Sequence, residues 1–333
     1  MKILITGGAG FIGSHTVVEL INARHTPIIV DDFRNSKEFI LTQIEKITGS
    51  KPTNYPIDCG DYSLLKKVFE SEKIDGVIHF AAYKAVGESV ESPLKYYNNN
   101  IQSLTNILTL MKEFSVKSIV FSSSCTVYGS ADIIPVTEET PTKKAESPYG
   151  NTKKIGEDIL RDFHKSENGF NISILRYFNP IGAHPSGLIG ELPIGTPNNL
   201  VPYITQTAAG IRNSLTIFGN DYPTKDGSCI RDYIHVVDLA TAHIKAIEKL
   251  NANNGILDTY NVGTGEGNSV IEVVEKFEKV SKTKLNYTFG ARRGGDVIEI
   301  YANNNKIVSE LNWIPKFKLE DALKDAWNWQ NNL

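Results

Sequence analysis

Tyr149 and Lys153 stand four residues apart in the run Ser147-Pro148-Tyr149-Gly150-Asn151-Thr152-Lys153. On a helix that spacing places both side chains on one face. A phenol beside an ammonium is a proton-transfer device. The reference phenol titrates near 10, and bringing it to about 7 requires roughly 4 kcal/mol of preferential stabilisation of the phenolate. Lys153 and the positive end of a helix both favour the anion, and such a phenolate removes the proton of an alcohol. Ser147 reads as a helix N-cap and Pro148 as the first helical residue, which puts Tyr149 in the first turn. The spacing alone is weak evidence, because with 14 tyrosines roughly one such pair arises by chance. Tyr62 and Lys66 form a second copy.

Position separates the two pairs. Tyr149 follows a strand that ends in Ser122-Ser123-Ser124-Cys125-Thr126, a hydroxyl cluster from which Ser124 is best placed to donate a hydrogen bond to a reacting oxygen. Tyr62 follows the third strand, which lies on the flank of a doubly wound sheet, and is expected to be an ordinary surface tyrosine.

A second constellation opens the chain. The first strand runs into Gly7-Gly8-Ala9-Gly10-Phe11-Ile12-Gly13 and then an amphipathic stretch. Gly7 and Gly10 permit a tight turn and close approach to a pyrophosphate, Gly13 permits close helix-to-strand packing, and the helix N-terminus presents free N–H groups to phosphate. The second strand ends in Asp31, eighteen residues after Gly13. A carboxylate there accepts from an adenosine ribose and repels a 2′-phosphate, so the expected cofactor is NAD. Asp58, closing the third strand, is placed to meet the adenine.

These groups require a scaffold, and the chain supplies its signature. Residues 2–6, 27–31, 54–57, 76–80, 117–122 and 171–175 are short, nearly all-apolar runs separated by amphipathic stretches, as expected of a parallel sheet covered on both faces. The expected fold is α/β, a Rossmann-type doubly wound parallel sheet with a smaller C-terminal α/β substrate domain. Residues 1–178 form the first part and 179–333 the second, with some chain crossing back. Residues 179–199 hold four prolines and four glycines and predict irregular structure. Beyond them helices are expected at 202–211, 236–249, 269–280 and 319–330, and strands at 215–218 and 259–262, with a helix start at 303–305.

Composition narrows the classes further. The 333 residues carry 35 basic and 38 acidic side chains, a formal charge of −3, which provides no attraction to nucleic acid. No window of about 18 apolar residues exists for a membrane helix, and the N-terminal apolar run is too short for a signal peptide. Cys59, Cys125 and Cys229 are odd in number and far apart, which argues for a reducing cytoplasm and against a disulfide framework. His79, His184 and His235 lack metal-ligand spacing, and no metal is expected.

Longer stretches add a resemblance. His79-Phe80-Ala81, Lys84-Ala85-Val86-Gly87-Glu88-Ser89-Val90, Arg176-Tyr177-Phe178-Asn179-Pro180, Gly182-Ala183-His184-Pro185-Ser186-Gly187, Pro197-Asn198-Asn199-Leu200, Phe218-Gly219-Asn220-Asp221-Tyr222-Pro223-Thr224 and Arg231-Asp232-Tyr233-Ile234-His235 resemble the extended short-chain dehydrogenase/reductases and, from end to end, their UDP-glucose 4-epimerase branch. The resemblance implies an NAD site made by Gly7, Gly10, Phe11, Ile12, Gly13, Asp31, Asn35, Ser36, Asp58, Cys59, Phe80, Ala81, Lys84, Asn99, Ser122, Tyr149, Lys153 and Phe178. It implies that Asn179, Asn199, Leu200, Phe218, Arg231, Tyr233, Arg293, Asp296 and Ile300, with Lys84, Ser124 and Tyr149, hold a UDP-hexose. The implied reaction is reversible inversion at C4 of UDP-glucose and UDP-galactose through a 4-keto sugar, with NAD as transient hydride acceptor and Tyr149 as base and acid. It also implies a homodimer, for which the helices near 93–114 and 147–165 are available.

Three departures from the family stand out. Asp32 adds a carboxylate beside Asp31, and Cys125 stands where alanine is common. Ile300, smaller than the tyrosine of restrictive members and larger than the cysteine of permissive ones, leaves use of N-acetylated sugars open. A 4,6-dehydratase would carry an acidic pair after the active-site hydroxyl, where this chain has Cys125 and Thr126. A non-catalytic NAD-sensing protein would lack the Tyr149/Lys153 pair.

Overall fold

A computed structural model of the chain describes residues 1–294 and 296–333. The first half alternates strand and helix: β1 (Lys2–Thr6), α1 (Phe11–Asn22), β2 (Thr26–Val30), α2 (Phe39–Thr48), β3 (Thr53–Tyr55), α3 (Tyr62–Ser71), β4 (Gly76–His79), α4 (Val86–Glu91), α5 (Pro93–Glu113), β5 (Ser118–Ser124), α6 (Pro148–Ser166) and β6 (Asn171–Tyr177). The second half carries β7 (Asn179–Ile181), α7 (Leu200–Ala208), β8 (Leu215–Phe218), β9 (Ile230–Arg231), β10 (Tyr233–His235), α8 (Val236–Asn251) and β11 (Leu257–Val262). It ends with β12 (Asn268–Ser269), α9 (Val270–Ser281), β13 (Tyr287–Gly290), β14 (Glu299–Ile300), α10 (Asn305–Leu311) and α11 (Leu319–Asn331).

Seven strands form the main sheet in the order β11-β6-β5-β4-β1-β2-β3, and all their pairings are parallel. The order reverses at β1, so a crevice opens beyond the carboxyl ends of β1 and β4. Both faces are covered. Along β1, Ile3 and Ile5 pack with Val17, Val18 and Ile247 on one side, while Leu4 packs with Leu65, Leu104 and Ile107 on the other. Each such residue removed from water contributes about 1.5–3 kcal/mol, and the period-2 alternation holds the register.

Several expectations shift at their edges: the helix expected at 202–211 is α7, Leu200–Ala208, and β3 ends at Tyr55, so that Asp58 lies past it rather than closing it. β5 and β6 run past 122 and 175 to Ser124 and Tyr177, with Ser122, Ser123 and Ser124 opposite Leu175, Arg176 and Tyr177. The backbone ladder continues where apolarity stops, because the buried serines find polar partners. The strand expected at 259–262 begins at Leu257 and joins the main sheet beside β6, and α8 packs on α1 and on the sheet. Residues 236–262 thus return to the first half. The irregular run 179–199 contains one short strand, β7, paired in parallel with β10.

No helix among the described residues is long and apolar enough to cross a membrane. All three cysteines are buried and free.

Candidate active site

The glycine loop explains itself sterically. Gly7 has φ +71°, and its N–H donates to the Val30 carbonyl at 2.8 Å. A Cβ on Gly13 would lie 2.1 Å from the Gly7 carbonyl oxygen, so any side chain there expels the loop from its turn. Phe11, Ile12 and Gly13 form the first turn of α1, a turn with neither a side-chain cap nor an acidic residue. Their N–H groups and the helix dipole suit a phosphate, and the loop therefore fits a dinucleotide. Gly13→Ala is expected to abolish dinucleotide retention, read as the NAD released by denaturing the purified variant; wild-type content would remove the steric argument.

Asp31 is buried beside this loop. It accepts from the Ala9 and Phe33 N–H groups and from the Ser36 hydroxyl, each at 2.9 Å, so it braces the glycine turn with one oxygen and the Phe33-to-Ser36 loop with the other. Asn35 is exposed on that loop. Asp58 accepts from the Gly60 N–H at 2.7 Å, and the Cys59 thiol next to it is pushed up to about 12 by burial and the nearby carboxylate of Asp58. Phe80 and Ala81 continue β4, their N–H groups donating to the carbonyl and hydroxyl of Thr6 at 3.1 and 3.3 Å. Asn99, on α5, donates to Asn100 at 3.0 Å.

The proton-transfer group forms as the local sequence dictates. The Ser147 hydroxyl accepts from the Gly150 N–H at 3.1 Å and Pro148 opens α6. Tyr149, Lys153 and Glu157 then descend one face of α6 at intervals of four, and each meets the end of β5. Ser124 lies beside Tyr149, Lys153 Nζ donates to the Ser122 carbonyl at 2.6 Å, and Ser123 donates to Glu157 at 2.6 Å. The Ser122 hydroxyl is bonded to Tyr177.

The chain by itself does not lower the Tyr149 phenol: burial pushes it up, the nearby Tyr177 adds to the rise, and the Ser124 hydroxyl opposes it. The Lys153 ammonium is turned to a carbonyl, so desolvation wins over attraction at the phenol. Burial also depresses Lys153 to about 8.

That depression has a measurable consequence. Between about pH 8 and the ordinary lysine value of 10.5, the unfolded chain binds more protons at this position than the folded chain. Stability from this group therefore rises with pH across that window. The unfolding free energy of wild type relative to Lys153→Met is expected to shift in favour of wild type from pH 8 to pH 10, measured by denaturant titration. A flat difference would rule out the depressed lysine.

The decoy pair sits as its position implied. Tyr62 donates to Glu113 at 2.9 Å on the exposed flank of α3, and Lys66 pairs with the same carboxylate.

Across the crevice the second half gathers charge. Arg293 donates to Asp296 at 2.8 and 3.2 Å, and Arg231 lies 3.8 Å from the same carboxylate. Arg293 also stands over the Phe218 ring, 5.7 Å from its centroid. Ile300 is the register partner of Arg231 and packs with Cys125 and Phe178. Burial pushes the Cys125 thiol up to about 12, against the pull of Arg231. This unreactive thiol is the link between the two clusters, since it also lies near Tyr149. Asn179 opens β7, and Tyr233, opposite it on β10, is buried. Asn199 occupies the N-cap position of α7, which starts at Leu200, without a side-chain capping bond.

Several groups in the site carry no local sequence signal. Glu191 receives Lys84 at 3.1 Å and Asn199 at 2.6 Å, joining two residues 115 positions apart through one carboxylate. Asp232 is fully buried and accepts from Thr264, Gly265 and Ala302, locking the loops behind Arg231. Arg34 crosses the mouth of the crevice between Asp32 and Asp58.

Comparison with known proteins shows the family. The family model described as GDP-mannose 4,6 dehydratase matches residues 4–326. The chain is 50% identical to the UDP-glucose 4-epimerase of Bacillus subtilis (strain 168) over 332 residues, covering 100% of this chain and 97% of that one. It is 49% identical to UDP-glucose 4-epimerase 2 of Arabidopsis thaliana over 334 residues, covering 99% and 95%. The crystal structure of UDP-glucose 4-epimerase from Bifidobacterium longum in complex with NAD+ and UDP aligns with a TM-score of 0.97 at 45% identity, covering 100% of this chain and 98% of that one. With half of all positions shared along the whole length, the chain belongs to the UDP-glucose 4-epimerase family.

Proposed function

We propose that this protein interconverts UDP-glucose and UDP-galactose by inversion at C4 through a 4-keto sugar, with tightly held NAD as cofactor and Tyr149 as base and acid. The observation that carries this reading is that Cys125 neighbours Ser124 and Tyr149 and packs with Ile300, the register partner of Arg231, which shares Asp296 with Arg293. One cluster moves a proton, and the other binds a diphosphate and a ribose.

Gly7, Gly10, Phe11, Ile12 and Gly13 would hold the pyrophosphate of NAD, Asp31, Asn35 and Ser36 its ribose, and Asp58, Cys59 and Asn99 the adenine end. Phe80, Ala81, Lys84, Ser122, Lys153 and Phe178 would surround the remainder. When bound, NAD supplies a two-electron acceptor and a positive charge. Tyr149 takes the 4-hydroxyl proton and returns it, Ser124 donates to the reacting oxygen, and Lys153 supplies positive charge beside the phenol. Asn179, Asn199, Leu200, Phe218 and Tyr233 complete the uridine diphosphate site, and Ile300 walls the sugar end. A sugar that must turn over between half-reactions is served by firm anchoring at its diphosphate, where binding energy is spent away from the reacting ring.

In this reading residues 1–178 carry NAD and residues 179–333 the UDP-hexose, apart from the stretch that returns to the main sheet. Three unpaired cysteines suit the cytoplasm. The packing of α5 against α6, with Leu94 exposed at the start of α5 and Val90 exposed on the adjoining α4, supports pairing of two copies through this face, which sedimentation equilibrium tests. The function itself is tested by proton NMR of UDP-galactose incubated with purified protein and no added cofactor. Appearance of UDP-glucose without accumulation of NADH at 340 nm is the expected result; no UDP-glucose, or stoichiometric NADH, would overturn it.

A further inference from the structure

Arg34 is the most heavily engaged side chain at the adenosine end of the crevice, and no step of the proposed reaction uses it. It follows β2 and reaches three other segments. Its Nε pairs with Asp32, its Nη2 with Asp58, and its Nη1 donates to the Tyr83 hydroxyl at 3.0 Å and to Asn99 at 3.3 Å. An exposed ion pair would by itself mean little. Here, however, the acceptors meet every nitrogen along the edge of one guanidinium and thereby fix its plane. Cζ also stands over the Tyr83 ring, 5.8 Å from its centroid, yet 39% of the side chain remains exposed. Edge contacts leave the faces of a guanidinium available, and a fixed, weakly hydrated cationic plane stacks well on a planar π-system.

We propose that Arg34 stacks on the adenine ring of bound NAD and is a retention group that slows cofactor release. The inference rests on the NAD reading above, in which Asp58 and Asn99 belong to the adenine end. The opposite use of an arginine near the end of β2, reading a 2′-phosphate, is disfavoured by charge. Two carboxylates, Asp32 and Asp58, share this one guanidinium, and Asp31 lies beside them, so the locality is net negative.

The test is the rate at which purified holoprotein exchanges its NAD for excess NADH, followed by nicotinamide fluorescence, for wild type, Arg34→Ala and Arg34→Lys. Arg34→Ala is expected to release NAD roughly tenfold faster, as loss of a stacked cation implies. Arg34→Lys keeps the charge but not the plane and should resemble Arg34→Ala. Release at the wild-type rate or slower in Arg34→Ala would overturn the proposal, and so would full rescue by lysine, which would make charge the cause. Loss of NADP binding with unchanged NAD release would reassign Arg34 to a phosphate. A wild-type protein that neither carries NAD nor takes it up would instead overturn the NAD reading.

Discussion

Tyr149→Phe is expected to reduce kcat by at least about 10³-fold while leaving bound NAD and UDP affinity within about twofold. The magnitude follows from the role, since positioned acid–base groups contribute roughly 10²–10⁴-fold, and this one acts in both directions of proton transfer. The substitution removes one oxygen from a side chain whose neighbours are Ser124, Tyr177 and Cys125, and the ring still fills its place on α6. The phenol is held up by burial in the protein alone, so activity should rise with pH until the liganded phenol is ionised, and a limb set by Lys153 near 8 should follow. Single-turnover measurement of C4 inversion, with UDP binding measured in parallel by calorimetry, checks both halves. Retention of more than a tenth of the wild-type kcat would remove Tyr149 from the chemistry, and loss of UDP binding would make it a structural residue.

The parts of this site that were legible in the sequence are those in which chemistry and local conformation coincide. The glycine turn, the Ser147-Pro148 helix start and the four-residue spacing of Tyr149 and Lys153 all depend on neighbours within one or two turns of chain. Even the decoy at Tyr62 was separable, because strand order places α3 on the flank. What was not legible is long-range pairing of polar groups. Glu191 collects Lys84 and Asn199, and Arg34 collects Asp58, Tyr83 and Asn99, and no periodicity encodes such meetings. The two-residue strands β9, β12 and β14 are too short for an alternation to show. The ends of β5 and β6 are hidden in the sequence for a related reason, since burial of Ser123 and Arg176 is stabilised by a partner on a different element.

That partner is Glu157, and Glu157→Ala is expected to destabilise the protein by about 3–5 kcal/mol, the cost of leaving a buried cation unpaired. Glu157 and Arg176 are 3% exposed each, joined by bonds of 2.6 and 2.9 Å. Around them, Ser123 donates to Glu157, Arg176 donates to Tyr128 at 3.0 Å, and Tyr128 donates to Asn261 at 2.6 Å. The network therefore ties α6 to β5, β6 and β11 directly beneath Lys153. Burial alone would raise the Glu157 carboxyl, but the Arg176 guanidinium and the Ser123 hydroxyl overcome it and hold the group below the ordinary carboxylate value. Its contribution is thus fully present above the unfolded value of 4.5 and is lost as pH falls through the lower folded one. Chemical denaturation at pH 7 and pH 3 measures this: the deficit of the variant should be smaller at the lower pH. Replacing both partners, Glu157→Leu with Arg176→Met, should recover most of the stability, because the penalty belongs to the orphaned charge rather than to the missing pair. A cost under about 1 kcal/mol for Glu157→Ala, or a double variant no better than the single, would mean that water reaches Arg176 and that α6 is held to the sheet by its apolar face alone.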